Sequence, residues 1–253
     1  MRYMVTADTD IGISKNTNQD SVLVKHAKTE LGEIVLAVIC DGMGGLSKGE
    51  LASATVIRTF DRWFHEQLPH EMEQLDYHVI GEKWCLMLKE LNEKILEYGK
   101  QIGSSLGTTF SGMLIFRDQY VIVHVGDSRV YRVSSSLEQL TTDQTFVARE
   151  IRKGTMTEAQ AKVDKRRNLL LQCVGASKNV EPEVLYGSTK KGAYMLCSDG
   201  FRHEITPDEI LESLNPINLR NKETMRGNVR YLIELVKSRM ERDNISVILI
   251  KAE

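Results

Sequence analysis

Two kinds of apolar pattern alternate along the chain. The longest unbroken run, Ile34 to Cys40, is rich in Val and Ile and suits a strand buried on both faces. Shorter β-prone stretches predict further strands at Tyr3 to Ala7, Ser21 to Lys28, Glu183 to Gly187, Ala193 to Cys197 and Ile245 to Ile250, and the buried strand itself starts at Glu33. Leu106 to Phe116, Gln119 to Val125 and Arg129 to Val133 follow one another with short links and predict an antiparallel meander. Helical spacing marks Gly49 to Glu66, with Leu51, Ala54, Thr55, Ile57, Phe60 and Phe64 as the inner face. It recurs over Gly81 to Gly99 (Trp84, Leu88, Leu91, Ile95, Tyr98) and over Asn221 to Met240 (Met225, Val229, Leu232, Val236, Met240). Thr206-Pro207, followed by Asp208 and Glu209, starts another helix, because a cap and first-turn acids complement the helix dipole.

Runs of strands separated by helical pairs, without strict β-α-β order, predict an α+β fold with antiparallel sheets and outer helices. No stretch is rich enough in Pro, Gly or Ser to be a linker, and there is no internal repeat. Residues 1–253 are therefore expected to form a single domain. Asp143 to Asp164 is charged and offers little apolar area, in two short helices around Gly154. It is expected to be a mobile flap, at about 144–165.

Composition narrows the partners. With 33 basic and 35 acidic residues the net charge is −2, which gives no electrostatic footprint for nucleic acid or an anionic membrane. The N-terminal residues reach Asp8 before a signal-peptide hydrophobic region forms, and no apolar run approaches the roughly 20 residues that span a bilayer. A soluble, cytoplasmic protein is expected. The four cysteines lack metal-ligand spacing, and Cys40 and Cys197 sit in strand-like runs, so reduced core thiols are expected.

Candidate chemistry lies where the strands end. Ile34 to Cys40 runs into Asp41-Gly42-Met43-Gly44-Gly45, whose three glycines allow a sharp turn and a close backbone approach. The same punctuation recurs as Gly126-Asp127-Ser128, Ser198-Asp199-Gly200 and Asp243-Asn244. In antiparallel sheets the start of one strand lies beside the end of its neighbour, so Asp41, Asp127, Asp199 and Asp243 can share one edge of the core. Carboxylates crowded there raise one another's pKa unless compensated. An all-oxygen set suits Mg2+ or Mn2+ rather than zinc. The alternative is that each aspartate caps its own turn.

The ordered series Asn18-Gln19-Asp20, Asp41-Gly42-Met43-Gly44-Gly45, Gly107-Thr108-Thr109, Val125-Gly126-Asp127-Ser128-Arg129, Leu140-Thr141-Thr142-Asp143, Ser198-Asp199-Gly200 and Asp243-Asn244 resembles the metal-dependent protein phosphatases (type 2C) of the bacterial branch. The resemblance covers nearly the whole chain. It implies a β-sandwich of two antiparallel sheets flanked on both sides by helical pairs. It also implies a centre of two Mg2+ or Mn2+ ions that activates water for in-line attack on phosphoserine or phosphothreonine. Asp41 would bridge both ions with help from the Gly42 carbonyl, Asp199 and Asp243 would complete the set, and Asp20 would orient water behind them. Asp127 matches a position that helps hold a third, looser ion. The implied partners are phosphorylated proteins, in opposition to a bacterial serine/threonine kinase.

Four positions depart from the family pattern. Lys15 stands where an arginine grips the substrate phosphate, keeping the charge but losing the bidentate fork. Gln19 replaces a common glutamate, Met43 a histidine of eukaryotic relatives, and Gln144 a histidine after Asp143. His124 and His203 are the nearest histidines, and both read as structural. Three other functions stay open: a non-catalytic phosphoprotein-binding regulator, a phosphatase dedicated to an anti-sigma-antagonist type protein, and a hydrolase of small phosphate esters.

Overall fold

A computed structural model describes residues 1–43 and 48–253; Gly44 and Gly45 of the predicted turn lie outside the described residues. The elements, in chain order, begin with β1 (Tyr3–Asp10), β2 (Ser21–Thr29) and β3 (Gly32–Cys40). Then come α1 (Gly49–Glu66), α2 (Leu68–Glu71), α3 (Tyr77–Gln101), β4 (Phe110–Phe116), β5 (Gln119–Val125), β6 (Arg129–Val133) and β7 (Leu137–Gln139). After α4 (Phe146–Arg152) and α5 (Glu158–Val163), the chain closes with β8 (Glu183–Ser188), β9 (Gly192–Cys197), α6 (Asp199–Arg202), α7 (Pro207–Leu214), α8 (Lys222–Ser238) and β10 (Ile245–Ala252).

Two five-stranded antiparallel sheets, ordered β1-β10-β9-β6-β7 and β2-β3-β4-β5-β8, stack face to face. Three apolar layers hold them. One lies between the sheets and contains Val35, Ala37, Ile39, Met113, Ile122, Leu196 and Ile248. A second packs Leu36, Val38 and Cys40 under α1 and α3. The third packs Met195, Cys197, Val247 and Leu249 under α6 to α8. Alternate residues of β3 therefore enter different cores, which is why its sequence is apolar without interruption.

The predicted architecture holds, with local corrections. The three strands from Leu106 to Val133 are not one meander: β4 and β5 pair in one sheet, whereas β6 crosses to the other and pairs with β7 and β9. Polar Gly126-Asp127-Ser128 is the crossing, and β4 starts only at Phe110. The inner face of α1 is Gly49, Ala52, Ser53, Val56, Phe60 and Trp63, about one position round from the predicted stripe. Leu51 is exposed. Trp63 decides the rotation by stacking edge-on against Trp84 at 5.3 Å, burying more apolar area than Leu51 can. Tyr98 and Met240 are likewise exposed, and α8 ends at Ser238. No helix among the described residues is long and apolar enough to cross a membrane.

The rotation of α1 can be checked by chemical unfolding. Val56→Ala should cost about 2 kcal/mol and Leu51→Ala less than about 0.5 kcal/mol; the reverse order would restore the predicted face.

Candidate metal centre

Strand register brings the acidic turns to one rim. Ser21 pairs with Cys40, Phe110 with Val125, and Cys197 with both Val247 and Arg129. Asp20, Asp41, Asp127 and Asp199, one or two residues beyond these pairs, and Asp243, two residues before the Ile245 that pairs with Asp10, consequently share one end of the sandwich. Backbone bonds fix Asp41: its N–H donates to Thr109 Oγ1 at 2.9 Å, and its carbonyl accepts from Thr109 N at 2.8 Å. Thr109 Oγ1 also bonds Ser128 Oγ at 2.7 Å, tying the β3 end to the crossing. Gly42 has no room for a side chain, since a Cβ would lie 2.5 Å from the Gln19 carbonyl and 2.7 Å from that of Gly49. Gly200 is closed off in the same way by the Asn244 carbonyl.

Asn244 stitches the two sheets together. Its Oδ1 accepts from Gln19 N at 2.9 Å, and its Nδ2 donates to the carbonyls of Ile11 at 2.9 Å and Thr17 at 3.3 Å. The loop carrying Lys15 and Asp20 is thereby held against the start of β10. Lys15 Nζ lies 2.8 Å from Asp243 Oδ1. Burial alone would disfavour the ammonium, but Asp243, Asp41 and Asp199 outweigh it and hold Lys15 above its ordinary pKa.

The carboxylates are strained electrostatically. Asp41 is raised well above the usual range, by desolvation first and then by Asp20, Asp199, Asp127 and Asp243. Asp20 is pushed up to about 7 by burial; the Ser198 and Ser246 hydroxyls on its side partly offset this, while Asp199 and Asp243 add to it. At the geometry seen those hydroxyls do not close on it, and neither Asp20 oxygen nor Asp199 Oδ1 has a hydrogen-bond partner among the described residues. Buried oxygens without donors cost free energy, a cost that a hard divalent cation, or water bound to one, would relieve. The residues fit Mg2+ or Mn2+. Among the described residues no three acidic, imidazole or thiol groups form a closed clasp.

Asp127 has different company. Arg202 Nη2 donates to its carbonyl at 3.1 Å and stands 3.5 Å from its Oδ2. Burial and Asp199 push Asp127 up to about 7, with Arg202 pulling the other way. His203 spans Asp199 (3.6 Å) and Glu241 (3.5 Å). Burial opposes its charge, but Glu241 and Asp199 hold it above its ordinary value. His124 is fully buried, bonds Ser111 Oγ at 2.9 Å and the Gly126 carbonyl at 3.0 Å, and supports the crossing. Gln144 is anchored to the crossing: its backbone N–H donates to the Gly126 carbonyl and its Oε1 accepts from Gly126 N, both at 2.8 Å.

Every predicted site residue thus lies at this rim. The sequence reading left Asn244 and Thr109 as motif letters without a task and missed Arg202. A charged residue one turn after Asp199, in a helix entering the core, is the signal that marks Arg202.

The family model for protein phosphatase 2C matches residues 13–244. A serine/threonine phosphatase of Listeria monocytogenes is 28% identical, covering 97% of this chain and 94% of its own. The serine/threonine phosphatase of S. agalactiae superposes with a TM-score of 0.87 at 26% identity over 100% of both chains. The catalytic domain of the serine/threonine protein phosphatase PstP, in complex with two manganese ions, does so with a TM-score of 0.78 at 27% identity, covering 98% of this chain and 97% of that one. With the family match running from before Lys15 through Asn244, the chain belongs to the protein phosphatase 2C family.

Proposed function

We propose that Asp41, Gly42, Asp199 and Asp243, with Asp20 behind them, hold two divalent cations, Mg2+ or Mn2+, and that this rim carries out the chain's activity. The chain is a metal-dependent serine/threonine protein phosphatase. The observation that supports this site is the set of buried, donor-less oxygens on Asp20 and Asp199 at strand ends where the family motifs fall.

When bound, the cations lower the pKa of water and neutralise charge on the phosphoryl oxygens. The chain's own groups do the rest. The free Asp20 oxygens accept hydrogen bonds from water and orient it for attack. Asp243 keeps the Lys15 ammonium beside the cluster, where it pairs with a phosphoryl oxygen as a point charge. Thr109 and Asn244 keep the acidic turns of the two sheets in place. Cys40 and Cys197 are fully buried. Burial pushes the Cys197 thiol up to about 12 and that of Cys40 well above its ordinary value, so neither is a nucleophile.

The substrate is a phosphorylated protein, and opposition to a bacterial serine/threonine kinase is the setting we favour. The non-catalytic reading is disfavoured, because every aspartate of the metal set is present. Residues 1–253 act as one catalytic domain, and segment 144–165 serves as a flap that shapes substrate choice. That role is supported by roots in the site on both sides, through Gln144 on Gly126 and Val174 N on the Thr108 carbonyl at 2.9 Å.

Hydrolysis of a phosphothreonine peptide should require Mn2+ or Mg2+, stop with EDTA and return with excess metal. Asp199→Asn should lower kcat/KM at least about a hundredfold; full activity in EDTA or in the variant would overturn the site. Lys15→Arg should lower KM about fivefold by restoring a forked contact worth about 1 kcal/mol, and an unchanged KM would contradict the role given to Lys15.

A further inference from the structure

The two halves of the acidic rim are compensated differently. Asp20, Asp41, Asp199 and Asp243 share Lys15, on Asp243, with His203 behind Asp199. Asp127 instead belongs to a group in which two carboxylates face two guanidiniums. Arg129 forks onto Asp143 through Nε at 2.8 Å and Nη2 at 2.7 Å, and its Nη1 donates to Tyr131 Oη at 2.8 Å. Arg202 Nη2 lies 3.5 Å from Asp127 Oδ2 and 3.8 Å from Asp143 Oδ2, and the side chains of Arg202 and Asp127 are 14% and 9% exposed. The charges of this group cancel within the chain.

We infer that Arg202 supplies at Asp127 the positive charge that a third divalent cation would otherwise bring, so that the chain binds two such cations and no third; this rests on the two-ion reading of the rim. A cation on the Asp127 carboxylate would stand within a few ångströms of a guanidinium that cannot lose its proton. In a poorly hydrated site that repulsion is weakly screened. Arg202 is also not free to swing away. It closes the single turn α6, which starts at Asp199, and its bond to the Asp127 carbonyl at 3.1 Å anchors it to the crossing between the sheets. Three positions along one helical turn place Asp199 and Arg202 on the same face. Asp127 therefore meets a fixed cation from the very element that presents Asp199. Arg202 is a positioning residue: it holds Asp127 beside Asp199 without touching the reacting atoms.

The test is a count of Mn2+ bound at saturation, by equilibrium dialysis with elemental analysis, on full-length chain whose folding is verified by circular dichroism. Wild type should bind two ions per chain, and Arg202→Lys should also bind two. Arg202→Ala should gain a third, weaker site that disappears when Asp127→Asn is added. Three ions in wild type would overturn the inference while leaving the two-ion reading intact, as would an Arg202→Ala chain that folds and still binds two. No Mn2+ on wild type would overturn the two-ion reading and the inference with it. Should Arg202→Ala fail to fold, the wild-type and Arg202→Lys counts decide: two in both upholds the inference, and three in either overturns it.

Discussion

Carboxylate crowding at one end of a desolvated sandwich is the constraint on which the rest of this molecule depends. Asp20 is buried and pushed up to about 7, and Asp41, more open to solvent, is raised well above the usual range. Left to themselves such groups would separate, because repulsion between desolvated like charges is costly. They stay together because the backbone that carries them is fixed on every side. Three apolar layers clamp the two sheets. Asn244, through Gln19 N, and Thr109, through Ser128 Oγ, then tie the loops of one sheet to those of the other. Stability from the core is thus spent on holding a site that favours its own dispersal, as functional sites commonly require.

The countercharges are graded around the rim. Lys15 and His203 approach it from the flanks, and Arg129 and Arg202 neutralise its Asp127 side. Between them lies the part with unsatisfied oxygens. On the proposed reading, that gradient separates the region that would take divalent cations from the region already balanced by side chains. It also places the root of the 144–165 segment, through Asp143 and Gln144, on the balanced side.

Much of this was legible in the sequence, and for a physical reason. A strand buried on both faces, such as Ile34 to Cys40, cannot tolerate polar residues, so its end is marked sharply by Asp41. The recurrence of that mark, in order, located four acidic turns. Strand pairing was less legible: nothing in Gly126-Asp127-Ser128 says that the chain changes sheets there, since hairpin and crossing turns use the same residues. Helix faces were read one position out in α1, because spacing alone does not weigh Trp63 against Leu51. Side-chain tasks were least legible. Arg202 and Asn244 owe their roles to partners 75 and 225 positions away, at Asp127 and Gln19.

The central claim is that cations relieve the repulsion at the rim, and thermal unfolding tests it without reference to any substrate. Mn2+ should raise the Tm of the wild-type chain in a saturable way, equivalent to about 2.7 kcal/mol at a hundred times its Kd. The gain should shrink in a chain carrying Asp41→Asn. A Tm that stays the same with Mn2+, Mg2+ or chelator would contradict the account, because it would mean that these carboxylates are held together by the protein alone.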